Sequence, residues 1–486
     1  MKGYWQAAIG GGLLAVSFSY FCWETSLLSF FFFALMFQGF LKRRNFLVGF
    51  IGGMFYFVPT LYWIYPTLRT YGMVSISLSI LAVIVLSTVL ALFFGLFSWL
   101  LRFFQGRFIY ISPFLWAAIE ILRENIFTGF PWGSLGYTAV EDLPFLQLAS
   151  LGGVRLMGIL MVFLAILLVS RKTKVFLYSF IFLHFIGFLL IGPYETGRYK
   201  VAIFQNAWDF KPPLSQLKEN EVFNDYMKMA EEASSHGVQL MVFPETTVPF
   251  IYLSEPSWEN FFKRKAREWN AYIVFSSTEV QNNKLYNADF LISPEGEIST
   301  YEKIHLVPFG EYNPIPVIKR IIPRIAMEIG DFTPGEKVKL LNFKGHKFAT
   351  PICYEAIFPM LVRKMVANGA EFLVNTTNDA WYGRTSAPYQ HLMQARVRAV
   401  ENRRYLLRAA SSGISAVIDP YGRILKKTSI YKTEMIIGKF SPHTKMSVFT
   451  RVGVYLDWFY IGVVFVWLVI IFLRRSLWKD TKPKEN

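Results

Sequence analysis

Seven apolar runs crowd the first 198 residues, near 5–22, 25–41, 47–66, 74–101, 108–124, 151–170 and 175–194, and an eighth follows near 453–473. Each spans about 17–28 residues, the length of α-helix that crosses roughly 30 Å of hydrocarbon. With 53% hydrophobic, 18% aromatic and only 17% charged residues, the chain is neither an ordinary soluble globule nor a disordered one. The first run lacks a small-residue cleavage site and more spans follow it, so it reads as a helix rather than a signal peptide. The expectation is a multi-span α-helical membrane domain of about eight transmembrane helices. Seven belong to residues 1–198, and the last, with a basic tail, to 451–486. The polar end, Lys479–Asn486, reads as disordered.

Charge placement orients these spans. The 50 basic and 34 acidic residues leave a net +16. Lys2, Lys42-Arg43-Arg44, Arg102 with Arg107, Arg171-Lys172-Lys174 and the tail Arg474–Lys484 fall on alternate sides of the predicted spans. Arg69, Arg123, Arg155 and Arg198 fall opposite. Putting the five clusters in the cytoplasm satisfies the positive-inside rule and leaves the long segment 199–450 on the outer face. Much of the basic excess is then a signal of topology and of a lipid surface, and nucleic acid is not an expected partner.

Segment 199–450 alternates buried-strand and helix patterns. Val201–Gln205, Gln239–Phe243, Tyr272–Ser276, Phe348–Ile352 and Phe372–Asn375 read as strands. Helical stretches lie near 218–236, 256–269, 357–368 and 387–402. Asn282–Asn283, Ser293–Gly296 and Asp419–Gly422 read as turns. This is an α/β domain with helices on sheet faces.

Two cysteines exclude a disulfide scaffold and any thiolate-rich metal site. With Cys22 in the first span, Cys353 is the lone thiol of the outer domain, where a free thiol is a liability. It ends the run Phe348–Ile352 and precedes Tyr354-Glu355, where a strand opens toward a helix. It is either an inert core residue or a nucleophile, and a nucleophile needs a base or cation to activate it. Glu245, after Pro244 at the end of another strand, and Lys303, in the Pro- and Gly-broken stretch Tyr301–Tyr312, are candidates for those roles. Each is equally readable as half of an ion pair. His305 or His391 offers a rival Cys–His pairing, although His391 lies in a helical pattern and reads better as a hydrogen-bonded packing residue.

Phe243-Pro244-Glu245-Thr246, Lys303–Glu311 and Cys353-Tyr354-Glu355 resemble the three signature regions of the nitrilase superfamily, whose Glu-Lys-Cys triad cuts or makes amide bonds. Asn375–Gly383, Gln390-His391 through Arg396 and the Gly413–Pro420 strand sharpen the match toward the apolipoprotein N-acyltransferase family. In the membrane half, Glu120–Arg123 followed by Thr128–Trp132 resembles that family's segment after its fifth helix. One departure is Phe243, where the family often has Trp.

The resemblance implies an αββα sandwich for 199–450, on the periplasmic face of a bacterial inner membrane. It implies Glu245 as general base, Lys303 as oxyanion partner with a backbone N–H near Tyr354, and Cys353 as nucleophile. Glu311 would assist, and Glu355 would position Lys303 or the cysteine loop unless it is a structural ion pair. The acyl donor would be a phospholipid, phosphatidylethanolamine by family analogy, and the acceptors diacylated apolipoproteins. No cofactor is implied, because transfer between an ester and an amine needs none. Val307–Ile322 is expected to be a mobile arm. Two other readings are a membrane-tethered amidase acting on a soluble amide and a transporter with an outer receptor domain. Seven preceding spans speak against a mere tether. Transporters usually carry ionisable residues inside spans, whereas nearly all the charges here, Glu120 and Arg123 among them, are expected at span ends.

Overall fold

The computed structural model describes residues 1–104, 106–207, 216–247, 256–315 and 332–480. It forms two compact units, Met1–Leu61 with Ile84–Phe188 and Val452–Asn486, and Tyr62–Val83 with Leu189–Arg451.

The first unit is helical: α1 (Lys2–Ser19), α2 (Trp23–Arg43), α3 (Phe46–Thr60), α4 (Ile76–Leu100, of which the part from Ile84 belongs to this unit), α5 (Ser112–Asn125), α6 (Ala149–Val169) and α7 (Thr173–Leu189, to Phe188). Glycines let the helices touch. A Cβ on Gly11 would lie 2.3 Å from the Gly52 carbonyl oxygen, and one on Gly49 would lie 2.2 Å from that of Phe94. Small residues at such crossings suit helices that gain no hydrophobic driving force from lipid.

Among the described residues four helices are long and apolar enough to cross a membrane: α2, α4 continued to Phe103, α6, and the first part of a last helix, over Val448–Leu473. Taken as one broken span, the bent pair Phe46–Thr60 and Ile64–Tyr71, turned by 54°, makes a fifth. The bend follows Pro59, which removes a helical hydrogen bond. The sequence places eight spans, and the other three helices fall short for visible reasons. The 18-residue α1 includes Lys2, Gln6 and the run Gly10–Gly12. The 14-residue α5 carries Glu120, Arg123 and Glu124, and α7 has 17 residues.

Cys22, read as the end of the first span, instead caps α2, and Thr25 reaches back to its backbone. The expectation that charges stay at span ends also fails for Glu120. It lies two turns inside α5, is buried, and accepts from the Leu135 N–H at 2.9 Å. Arg123 donates to the Trp132 carbonyl at 2.9 Å and to Ser134 Oγ at 2.7 Å. Arg155 pairs with Glu124 and, at 2.7 Å, with Asp457. Arg155 is thus neutralised by two carboxylates, while Glu120 and Arg123 are each hydrogen-bonded to neutral groups. Polar partners inside the bundle are how a low-dielectric interior accommodates such side chains.

The second unit holds two six-stranded sheets. The first runs β12-β1-β2-β3-β4-β5: β1 (Tyr199–Gln205), β2 (Leu240–Val242), β3 (Tyr272–Gln281), β4 (Lys284–Ile292), β5 (Ile298–Glu302) and β12 (Glu434–Phe440). The second runs β11-β10-β9-β8-β7-β6: β6 (Leu341–Phe343), β7 (His346–Ala349), β8 (Phe372–Asn378), β9 (Leu406–Ser411), β10 (Ala416–Ile418) and β11 (Ile424–Lys427). In each sheet three central strands are parallel, β1-β2-β3 and β7-β8-β9. Asn282 and Asn283, with φ of 51° and 59°, form the two-residue turn of the β3–β4 hairpin.

Strand alternation sorts the two faces. Ala202, Phe204, Phe275, Ala288 and Phe290 point outward under α8 (Gln216–Ser235) and α9 (Pro256–Trp269), packing with Tyr226 and Phe262. The opposite parity points at the second sheet. Gln205 bonds Ser415 and Thr428, and Asp289 accepts from Thr376 Oγ1 at 2.9 Å. The second sheet's helices are α10 (Pro359–Ala367) and α11 (Ala387–Asn402). The helices and turns match the sequence reading to within a few residues.

The last helix, α12 (Val448–Asp480), runs on past its apolar part, so Lys479 and Asp480 are helical; residues 481–486 of the expected tail lie outside the described residues.

The bent segment near 62–72 packs within this second unit. Trp63 meets Tyr382 edge-on at 4.9 Å, Tyr71 meets Trp381 at 5.7 Å, and the Ser386 N–H donates to the Tyr62 hydroxyl at 3.1 Å.

Candidate active site

Loops leaving the carboxyl ends of β2, β5, β7 and β8 converge on one buried cluster. Glu245 follows β2, Lys303 follows β5, and Cys353 follows β7 after three residues. Lys303 Nζ donates to Glu245 Oε1 at 3.3 Å and to Glu311 Oε1 at 2.8 Å, and the ammonium is fully enclosed. Burial works against its charge, but the Glu245 and Glu311 carboxylates prevail and hold it well above the usual lysine range. Glu245 Oε2 accepts from the Asn378 N–H at 2.9 Å, and Glu311 Oε2 accepts from the Val307 N–H at 2.7 Å.

Asn287, which the sequence reading did not single out, ties the two carboxylates together. Its Nδ2 donates to Glu245 at 2.8 Å and to Glu311 at 2.6 Å. It shares the inward face of β4 with Asp289, so strand parity was the signal that marked it.

Cys353 is buried, and its sulfur lies 3.2 Å from Thr377 Oγ1. Burial pushes the thiol well up, the Glu245 carboxylate adds to the shift, and Lys303 opposes it. The resting sulfur is therefore a protonated thiol that needs a base at the moment of attack. Its backbone is left-handed, with φ of 47°, as are Thr246 and Phe309 at 62°. Such a residue costs about 1–3 kcal/mol, and the strain gathers on the loops that carry Glu245, Glu311 and the thiol. The expected helix does not start at the thiol. A single 3₁₀ turn, Cys353–Ile357, intervenes before α10.

Glu355 makes no ion pair among the described residues. Oε1 accepts from the N–H groups of Ile304 and His305 at 2.8 and 3.0 Å, and Oε2 from that of Ile352 at 2.8 Å; the Tyr301 hydroxyl adds a bond at 2.9 Å. It therefore staples the strand end after Lys303 to the turn that carries Cys353. Burial pushes its carboxyl from 4.5 up to about 7, against those N–H groups. A folded-state value above the unfolded one means that this contribution to stability is full below about 4.5 and lost as pH rises through about 7. Between those limits stability is expected to fall with pH by on the order of 1 kcal/mol per unit, and the melting temperature with it. Glu355→Gln removes that slope, and a melt across the range in detergent measures it.

Tyr354 is buried, with its ring 5.1 Å from Phe358, and the His305 ring lies on Phe358 at 3.8 Å. His391 reaches the cysteine through the backbone instead of the sulfur, with Nε2 3.1 Å from the Cys353 carbonyl oxygen. Its Nδ1 lies 2.9 Å from Asp379 Oδ1, and Arg408 donates to Asp379 Oδ2 at 2.7 Å. Burial lowers the imidazole pKa and the Arg408 guanidinium lowers it further, against Asp379. Of the expected arm, Val307–Ile315 is described. Phe309 and Ile315 are exposed on it, and residues 316–322 lie outside the described residues.

A buried carboxylate, ammonium and thiol at strand ends of a two-sheet sandwich suit acyl transfer through a thioester. A family model described as carbon-nitrogen hydrolase matches residues 200–445, so the sandwich is a domain of that class. A second, the apolipoprotein N-acyltransferase N-terminal domain, matches residues 10–167. The apolipoprotein N-acyltransferase of Geobacter metallireducens is 32% identical over 90% of this chain and 88% of its own. That of Aquifex aeolicus is 32% identical over 85% and 94%. A mutant of the Nesterenkonia AN1 amidase from the nitrilase superfamily aligns with 55% of this chain and 98% of its own, at 21% identity and a TM-score of 0.41. The chain belongs to the apolipoprotein N-acyltransferase family, and it is an acyltransferase.

Proposed function

We propose that Cys353 carries the acyl group between two lipid substrates. Glu245 takes the thiol proton as sulfur attacks the sn-1 ester carbonyl of a phospholipid, phosphatidylethanolamine in the reading offered here. The C–S bond forms, the ester C–O bond breaks, and Glu245 returns the proton to the departing sn-1 oxygen. The lysophospholipid leaves as an alcohol, and Glu245 is again a carboxylate, free to pass the proton of the attacking amine to sulfur in the second half. Lys303 and a backbone N–H near Tyr354 stabilise the tetrahedral oxyanion. The α-amine of an S-diacylglyceryl-cysteine at a lipoprotein's amino terminus then attacks the thioester. The C–N bond forms, the C–S bond breaks, and the sulfur regains its proton through Glu245. Glu311 holds Lys303 against Glu245, and Glu355 holds the lysine strand end to the cysteine turn. In this reading the membrane is the bacterial inner membrane and the sandwich faces the periplasm, in keeping with the basic clusters in the short loops. The observation that carries the proposal is the Glu245–Lys303–Glu311 charge cluster beside a buried, protonated thiol.

The test is intact-protein mass spectrometry of the purified protein in detergent with phosphatidylethanolamine. A gain of one fatty acyl group, removed by neutral hydroxylamine and mapped to the Cys353 peptide rather than to Cys22, is the expected result. Chasing it with a diacylglyceryl-cysteine peptide should move the acyl group to the amine. No acyl group on folded protein across several phospholipids would sink the lipid-donor reading, and turnover of a soluble amide would then put an amidase in its place.

A further inference from the structure

The strained nucleophile turn needs something to hold it. Cys353 has a left-handed backbone without being glycine, and its carbonyl oxygen turns back toward α11 instead of joining a strand ladder. There His391 Nε2 meets it at 3.1 Å, and because a carbonyl oxygen can only accept, that nitrogen carries the proton. On the ring's other side Nδ1, which only accepts when Nε2 carries the proton, takes a hydrogen bond from Arg408 Nη2 at 3.2 Å, with Asp379 Oδ1 packed 2.9 Å away. Asp379 is itself anchored by Arg408 at 2.7 Å and by Thr377 Oγ1 at 3.0 Å. The same Thr377 hydroxyl lies 3.2 Å from the Cys353 sulfur. Carbonyl and sulfur of one residue thus both lead to the Arg408–Asp379 pair, one through His391 and one through Thr377. All of these side chains are buried.

We propose that His391 is a positioning residue for the nucleophile. Its Nε2–H, aimed by the Arg408–Asp379 pair behind Nδ1, holds Cys353 in the left-handed conformation that presents the sulfur to the reacting carbonyl. His391 does not take the thiol proton, since its ring addresses the backbone oxygen. This rests on the reading of Cys353 as the acyl carrier.

Gln and Met test it, because both reach about as far as the imidazole Nε2 and only Gln donates there. His391→Met is expected to slow single-turnover acyl-enzyme formation about 30–100-fold with KM for phosphatidylethanolamine in mixed micelles unchanged, the cost of misplacing an attacking atom. His391→Gln is expected to stay within about tenfold of the wild type. Equal losses in the two variants, wild-type rates in His391→Met, or a loss carried by KM would overturn the proposal. If His391→Met fails to fold, His391→Glu, with the shape of Gln but an acceptor facing the carbonyl when ionised, takes its place with the same expected loss.

Iodoacetamide alkylation of Cys353 at pH 9, followed by peptide mass, needs no lipid. The Met variant should change that rate more than fivefold while the Gln variant does not, and identical rates in all three proteins would overturn the positioning role. Absence of any acyl group on the wild type would instead refute the acyl-carrier reading.

Discussion

Acyl-enzyme formation is expected to disappear in Cys353→Ala and to fall about 10³-fold in Glu245→Gln, with the fold retained in both. Glutamine keeps the size of the side chain, but it cannot take a proton from sulfur. The informative part is a second readout of opposite sign. The Glu245 carboxylate helps push the Cys353 thiol up, so neutralising it lowers the thiol pKa and raises the thiolate fraction at rest. Alkylation of Cys353 by iodoacetamide at pH 8 should therefore be faster in Glu245→Gln than in the wild type, while acylation is slower. A merely structural Glu245 would move both rates the same way, and that outcome would remove its role as base.

The second large effect is expected for Lys303→Met. Removing the ammonium leaves Glu245 and Glu311 buried without their cation, which costs about 3–5 kcal/mol of stability when one partner of a buried pair is lost. It also removes the charge proposed to meet the oxyanion, worth a further 10²–10³ in rate by the usual size of that contribution. The Lys303 charge lowers the thiol pKa, so alkylation should slow here, the reverse of Glu245→Gln. The pH sign also follows. With the folded pKa raised above 10.5, the lysine's contribution to stability is complete below about that value and is lost only as pH rises through the folded one. Thermal melts at pH 7 and 10 should thus show nearly the same gap between wild type and Lys303→Met. A gap that closes by pH 10 would mean that the charge is not held as described.

Much of this site was legible because its residues sit where β-strands end. Glu245, Lys303 and Cys353 each follow a short apolar run, and the strand alternation that places Phe290 under α9 also places Asn287 and Asp289 inward. What escaped were contacts that no local pattern encodes. Asn287 meets Glu245 across 42 residues of chain, and Glu245 meets the Asn378 N–H across 133. His391 was readable as a hydrogen-bonded helix residue, but that its partner is a carbonyl depends on the left-handed turn at Cys353. In the helical unit, apolar composition located the segments but not their lengths. It also could not show that Arg155 would find Asp457 across 302 residues.

The bent segment after α3 has a consequence for how modular this enzyme is. By composition, residues 62–83 belong with the apolar half; by packing, they are part of the sandwich's own compact unit, with Trp63 and Tyr71 set against Tyr382 and Trp381. Those two aromatics leave β8 on the same short turn as Asp379, which anchors His391. The seam in the sequence is therefore not the seam in the fold. A gene fragment that starts near residue 199 would encode a sandwich lacking one of its own pieces, with two aromatic rings uncovered beside Asp379. Grafting this domain onto a foreign anchor would have to carry that hairpin-sized strip of the apolar half along with it.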